Sequence, residues 1–260
     1  SGMTQSENKE KITLPEPDFI SSLNTQQKDA VLNIDGPLLV LSGAGTGKTK
    51  VLTTRLANII YSRKARISEI LCVTFTNKAA FEMKTRVEKI IKRPVEGMFI
   101  GTFHSIGARF LRKHSNFLDI KNNFTILDTD DSLRLIKQVI SALELDPKIF
   151  IPKSFLYMID QMKNFGLSYN EISNHQFEHK TRGKLSEIYK FYQKRLKDYN
   201  SVDFGDLILL PLQILKKNEE LLENYQKKFK YILVDEYQDT NASQYMLLRL
   251  LSGNKKNICC

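Results

Sequence analysis

The chain has 260 residues, 42% hydrophobic and 26% charged, the composition of a globular protein with apolar material for one large core or two smaller ones. Lys and Arg number 39 against 29 Asp and Glu, a formal net charge of +10, so a polyanionic partner is expected, nucleic acid before anionic membrane. Three cysteines without CxxC spacing exclude a disulfide scaffold, and no apolar run approaches the roughly 20 residues of a membrane span; a reducing cytoplasm with no membrane partner is the expected setting.

Ser1-Gly2 ahead of Met3 reads as a cloning remnant, and the polar, aperiodic stretch 3–16 as a mobile leader. Leu38-Leu39-Val40-Leu41 is a short apolar run, as expected of a strand buried on both faces. From Lys48 the apolar positions Leu52, Leu56, Ile59 and Ile60 recur at helical spacing. Leu71-Cys72-Val73 predicts the next strand, Lys78 to Ile91 the next helix, Met98-Phe99-Ile100 a third strand, and His104 to His114 a further helix. Strands alternating with helices predict an α/β fold with a parallel sheet flanked by helices.

Between residues 116 and 198 the period is mostly helical. Leu133, Ile136, Val139, Ile140 and Leu143 form one stripe; Leu185, Ile188, Tyr189, Tyr192 and Leu196 form another. Strand character returns at Tyr231-Ile232-Leu233-Val234. The expected organisation is an α/β domain made of 17–115 and 199–260, with 116–198 inserted as a mostly helical subdomain. After a Gly253-Asn254 turn, Asn257 to Cys260 begins another strand with no crossover behind it. That ending suggests a piece cut from a longer protein, expected to be monomeric.

Ser42-Gly43-Ala44-Gly45-Thr46-Gly47-Lys48-Thr49 follows a buried strand and opens a helix, the context that a phosphate-binding P-loop needs. Glycines let several backbone N–H groups converge on one phosphate, and the helix N-terminus adds partial positive charge. Lys48 is placed to reach the β and γ phosphates of ATP, and the Thr49 hydroxyl to ligate Mg²⁺. Such a site also needs an acidic element. Asp235-Glu236 ends the apolar strand 231–234, at the strand edge where ligands of α/β sheets bind. Asp235 is the candidate for holding Mg²⁺, and Glu236 for orienting and deprotonating the attacking water.

Tyr231-Ile-Leu-Val-Asp-Glu-Tyr-Gln-Asp-Thr240 resembles the DExxQD/T segment of the UvrD/Rep/PcrA helicases of superfamily 1. The other segments come in the family's order. Leu23-Asn-Thr-Gln-Gln-Lys-Asp-Ala-Val31 resembles its adenine-reading Q segment, Thr74 to Met83 its motif Ia, Gly101-Thr-Phe-His104 its motif Ib, and Val202-Asp-Phe-Gly-Asp-Leu207 the short motif before the DE strand. Lys50 stands where the family usually has Arg, and Phe81 where it often has a smaller or charged residue. The resemblance implies a RecA-like P-loop motor domain whose inserted segment is an accessory subdomain. It implies ATP hydrolysis coupled to 3′-to-5′ movement on single-stranded DNA. Gln27 becomes the adenine reader, residues 42–50 the ATP contacts, and Gln238 a catalytic partner of Lys48, Asp235 and Glu236. Single-stranded DNA or DNA junctions become the partners, with repair or replication proteins beside them. A second motor domain, supplying arginines to the ATP site, is expected beyond these residues.

On the DNA side the resemblance nominates Thr74, Phe75, Asn77, Phe103, His104 and Phe204. Phe75 and Phe204 sit at edges where rings can stack bases without sequence preference. On its own Phe75 reads as a core residue and His104 as a hydrogen-bonded structural histidine; the motif match favours phosphate, sugar or base contacts. Lys180, Arg182, Lys184, Lys190, Lys194, Arg195 and Lys197 make a basic stretch, readable as a duplex-contacting face or a solvated helix face. His175-Gln-Phe-Glu178-His179 has the spacing of a zinc protease motif but no evident third acidic ligand, so no zinc site is expected. Three other readings stay open: a P-loop ATPase that does not act on nucleic acid, a nucleotide- and DNA-binding module with no turnover of its own, and the motor of a helicase–nuclease.

Overall fold

Short apolar runs become strands and apolar positions at helical spacing become helices throughout the computed structural model, which describes residues 38–42, 46–235, 240–253 and 258–259, with side chains over 52–235 and 240–253. In chain order come β1 (Leu38–Ser42), α1 (Thr46–Tyr61), β2 (Ile70–Thr74), α2 (Asn77–Ile91), β3 (Phe99–Thr102) and α3 (Phe103–Lys113). Then follow β4 (Thr125–Leu127), α4 (Thr129–Ala142), α5 (Pro152–Asn164), α6 (Gln176–Lys180), α7 (Lys184–Asp198), β5 (Ser201–Asp203) and α8 (Asp206–Lys217). The chain continues through α9 (Glu219–Lys228), β6 (Tyr231–Asp235), α10 (Ala242–Ser252) and β7 (Ile258–Cys259).

The chain forms two compact units. The first takes residues up to Ile106, Leu215–Asn241 and Tyr245 onward. Its sheet has the order β3-β2-β6-β1-β7, and every pairing is parallel. All five residues of β2 are buried, which is why the sequence shows an apolar run there and not an alternation. Leu52, Leu56, Ile59 and Ile60 of α1 pack with Met83 and Val87 of α2, Ile70 and Cys72 of β2, and Leu233 of β6. Two boundaries differ by one residue from those expected: β3 starts at Phe99, not Met98, and α3 at Phe103, not His104.

The second unit takes Gly107–Ile214 with Ala242–Gln244. The second stripe read from the sequence lies wholly in its core, and of the first Ile136, Val139 and Ile140 do, with Leu133 and Leu143 partly buried against them. Leu135, Ile136, Val139 and Ile140 of α4 meet Phe155, Leu156, Ile159 and Met162 of α5 and Leu185, Ile188, Tyr189, Tyr192 and Leu196 of α7. A two-stranded parallel pair, β4 with β5, aligns Thr125 with Ser201 and Leu127 with Asp203. The unit is wider than the 116–198 span read from periodicity. One cause is local: a Cβ on Gly107 of α3 would run into the backbone carbonyl of Leu207 in α8, so the two helices touch backbone to backbone.

The His175 ring has a structural task. Its Nδ1 caps α6, accepting the Phe177 N–H at 3.0 Å. Among the described residues no cluster of His, Cys, Asp or Glu could hold a metal ion, and no helix is long and apolar enough to cross a membrane.

Candidate functional site

In a parallel sheet all the C-terminal strand ends share one edge, and here Ser42, Thr74 and Asp235 end their strands on it. Ser42, the last residue of β1, is the register partner of Asp235, the last residue of β6. Thr74 ends β2 opposite Thr102, which ends β3, and Val73 pairs with Val234. Thr46, Gly47, Lys48, Thr49 and Lys50 form the first turn of α1, which follows β1 after three residues. Gln27, Gly43, Ala44, Gly45, Glu236 and Gln238 lie outside the described residues.

The Asp235 carboxylate is buried. Its charge is felt one strand away: burial first, then Asp235, raise the Cys72 thiol above its usual range, so Cys72 stays protonated and inert. A buried carboxylate at the C-terminal end of β6, on the edge where β1 leads towards α1, is a hard oxygen donor of the kind Mg²⁺ takes. Asp235 is thus chemically suited to the acidic part of a magnesium–nucleotide site.

The next two strand ends carry the aromatic and polar candidates. Thr74 is fully buried, and its hydroxyl donates to the Thr76 carbonyl at 3.0 Å. Thr76 caps α2, accepting the Ala79 N–H at 3.0 Å, and this leaves Asn77 exposed at the first helical position. Phe75 is half-buried, and its ring meets Phe103 edge-to-face at 5.6 Å and 68°. Phe103 itself is buried, so it supports the Phe75 ring. Thr102 accepts the Ser105 N–H at 3.0 Å and sets the entry into α3. His104 is half-buried, and burial lowers its pKa, favouring the uncharged imidazole. Thr74, Phe75, Asn77, Phe103 and His104 thus belong to one edge of the first unit. Phe204 belongs to the second unit, where it is 51% exposed on the turn between β5 and α8.

That turn rests on a residue the sequence reading passed over. Lys163 of α5 is 1% exposed, and its Nζ lies 2.7 Å from Asp203 Oδ2 and 2.9 Å from Asp206 Oδ1. Asp203 Oδ2 also accepts the Tyr192 hydroxyl at 2.7 Å, and Asp206 Oδ1 accepts Gln193 Nε2 at 3.2 Å. Across the turn, Asp203 Oδ1 accepts the Asp206 N–H at 2.9 Å, and Asp206 Oδ2 accepts the Asp203 N–H at 3.2 Å. The two carboxylates raise the Lys163 pKa against the cost of burial, and Lys163 holds Asp203 below the usual carboxylate range. Burial and the neighbouring Asp203 push Asp206 up to about 6. A signal for Lys163 was present. It falls on the same helix face as Phe155, Leu156, Ile159 and Met162, where every other member is a core residue.

The UvrD/REP helicase N-terminal domain family matches residues 23–260. The chain belongs to that family. It is 47% identical over 246 residues to a probable DNA helicase II homolog of Rickettsia conorii, covering 94% of this chain and 37% of that protein. It is 44% identical over 253 residues to DNA helicase II of Rickettsia typhi, covering 96% of this chain and 38% of that protein. It is 44% identical over 246 residues to ATP-dependent DNA helicase PcrA of Bacillus subtilis, covering 93% of this chain and 32% of that protein. The chain therefore spans about a third of the length of these relatives. In this UvrD/REP domain the departure at Phe81 is sterically free, since the ring is 71% exposed on α2.

Proposed function

We propose that these residues are the ATP-hydrolysing front part of a DNA helicase that, as a whole protein, moves 3′ to 5′ along single-stranded DNA. The observation that supports it most is the shared edge. Ser42 and Asp235 are register partners there, and Thr74 and Thr102 on the neighbouring strands lead directly into Phe75, Asn77, Phe103 and His104. Nucleotide and DNA would then contact ends of adjacent strands of one rigid sheet, which is the simplest physical route for coupling them.

On this reading Gln27 reads adenine, and the backbone N–H groups of residues 42–49 cradle the phosphates. Lys48 reaches the β and γ phosphates, with Lys50 beside them. Thr49 and Asp235 would hold Mg²⁺, which when bound supplies charge neutralisation across the phosphates. Glu236 orients a water and takes its proton as the oxygen attacks the γ phosphorus; Gln238 helps to set that water. Phe75, braced by Phe103, and Phe204 offer faces to unstacked bases, while Asn77 and His104 contact phosphate or sugar; Thr74, fully buried with its hydroxyl on the Thr76 carbonyl, shapes the segment that carries them. The second unit is the accessory subdomain inserted into a RecA-like motor domain. The expected setting is the bacterial cytoplasm, with DNA junctions and repair or replication proteins as further partners.

Two terms of DNA binding separate by salt. The net charge of +10 gives a salt-sensitive attraction to phosphates, and the rings give a salt-insensitive one. Phe75→Ala and Phe204→Ala will each lower affinity for a short oligothymidine about 5-fold or more, with an unchanged salt slope. Replacing Lys184, Lys190 and Lys194 together will reduce the slope if α7 touches backbone phosphates. Fluorescence anisotropy at several salt concentrations reads both terms. Folded Phe variants that bind like the parent would take these rings out of the DNA contact and remove the DNA half of the proposal.

A further inference from the structure

The exposed Phe204 ring sits on a turn that is bonded within itself and held from below by Lys163. Asp203 and Asp206 exchange backbone N–H bonds across it, and Leu207 N–H closes it on the Phe204 carbonyl at 3.1 Å. Both carboxylates converge on the single ammonium of Lys163, at 2.7 and 2.9 Å. The Lys163 stem runs directly under Gly205: a Cβ there would stand 2.7 Å from Lys163 Cδ and 3.0 Å from its Cβ. So the glycine between Phe204 and Asp206 is needed to let the lysine pass. α7 completes the cluster with Tyr192 on Asp203 and Gln193 on Asp206, while Asp160 lies one turn before Lys163 on α5.

An ion set of this kind is a poor choice for stability alone. Replacing buried charges together by neutral or apolar groups of similar shape is often neutral or stabilising, whereas a fully bonded charge cluster fixes one geometry. The geometry fixed here is that of the turn presenting an aromatic ring to solvent. We infer that Lys163 is a positioning residue for DNA engagement: clamping Asp203 and Asp206 on either side of Phe204-Gly205, it holds the Phe204 ring rigid and outward for base stacking. The inference rests on the reading of Phe204 as a stacking residue. It assigns Lys163 no contact with DNA.

The chain contains no tryptophan, so Phe204→Trp introduces a sole indole at the turn. Its steady-state anisotropy reports the rigidity of the ring, and quenching by oligothymidine reports stacking. In the Phe204→Trp background, Lys163→Met should lower the anisotropy and weaken oligothymidine affinity about 5-fold or more, the worth of one stacked base, with the salt slope unchanged. Lys163→Met leaves two carboxylates without their cation and can unfold the unit. The second variant therefore replaces the set together, Lys163→Met with Asp203→Asn and Asp206→Asn. It should melt near the parent and still show the looser indole and the weaker binding. A folded triple variant with parental anisotropy and affinity overturns the inference. A triple variant that fails to fold overturns it too, by making the cluster a requirement of the core. If oligothymidine leaves the indole of Phe204→Trp unquenched with Lys163 in place, the stacking reading itself has failed, and the anisotropy data still decide whether Lys163 orders the turn.

Discussion

A full-length protein carrying Glu236→Gln will bind ATP and single-stranded DNA about as its parent does, yet lose DNA-stimulated hydrolysis by about 10²–10⁴-fold, the usual worth of a positioned general base. The amide keeps the shape and one acceptor oxygen but cannot take the proton of the attacking water. Binding survives because the phosphate cradle, Lys48 and Asp235 are untouched. The 260 residues alone should hydrolyse ATP slowly even with Glu236 intact, because arginines brought from another domain are worth about 10³–10⁵ in rate in phosphoryl transfer. A phosphate-release assay with and without oligothymidine measures both effects. Fast, DNA-stimulated turnover by the 260-residue chain would mean that the far side of the γ phosphate is already served from within it. Full activity in Glu236→Gln would move the base elsewhere.

Lys163→Met will destabilise the second unit by about 3–5 kcal/mol near neutral pH, read as a shift of the urea midpoint. Removing the cation strands Asp203 and Asp206 in a buried site where both had relied on it. The pH dependence carries the same cluster's signature. Asp206 has its folded pKa raised from 3.8 to about 6, so its contribution is fully present below pH 3.8 and is lost as pH rises through about 6. Asp160, raised to about 6 chiefly by burial and then by Asp203, acts in the same direction. Asp203, lowered below 3.8, contributes above that value and loses its contribution only in stronger acid. Moving from pH 7.5 to pH 5 should therefore stabilise the unit, by roughly 1–3 kcal/mol, and Asp206→Asn should flatten that gain. A parent that weakens steadily from pH 7.5 to pH 5 would show Asp206 already ionised throughout.

Much of the fold was legible because β2 and β6 are short and almost wholly buried. β1, β2 and β6 each appear as an uninterrupted apolar run, and α4 and α7 as clean stripes that became one core. The small β4–β5 pair was not legible, since three-residue strands are too short for any period to emerge. The extent of the second unit was hidden for a different reason: the backbone contact at Gly107 and Leu207 leaves no mark in hydropathy. At the site, position was more legible than exposure. Phe75 and Phe103 fall at the expected edge, but only packing tells that one ring is half open and the other is buried beside it. Lys163 was passed over because lysine is almost never fully buried, and its partners lie 40 and 43 residues further along the chain. Its place on an apolar helix face was the only clue.

The central claim is that the edge joining Ser42 and Asp235 binds a magnesium nucleotide through its phosphates. Calorimetry of ATP with Mg²⁺ on the 260-residue chain tests it most directly, comparing the parent with Lys48→Ala. The parent should bind weakly if, as proposed, arginines of a further domain complete the pocket. Lys48→Ala should weaken ATP by about 10- to 100-fold, the worth of a charge-assisted hydrogen bond, and ADP by less, because the γ phosphate is where that charge is needed most. An unchanged ATP affinity in folded Lys48→Ala would contradict the assignment of the phosphate site, and with it the proposed motor.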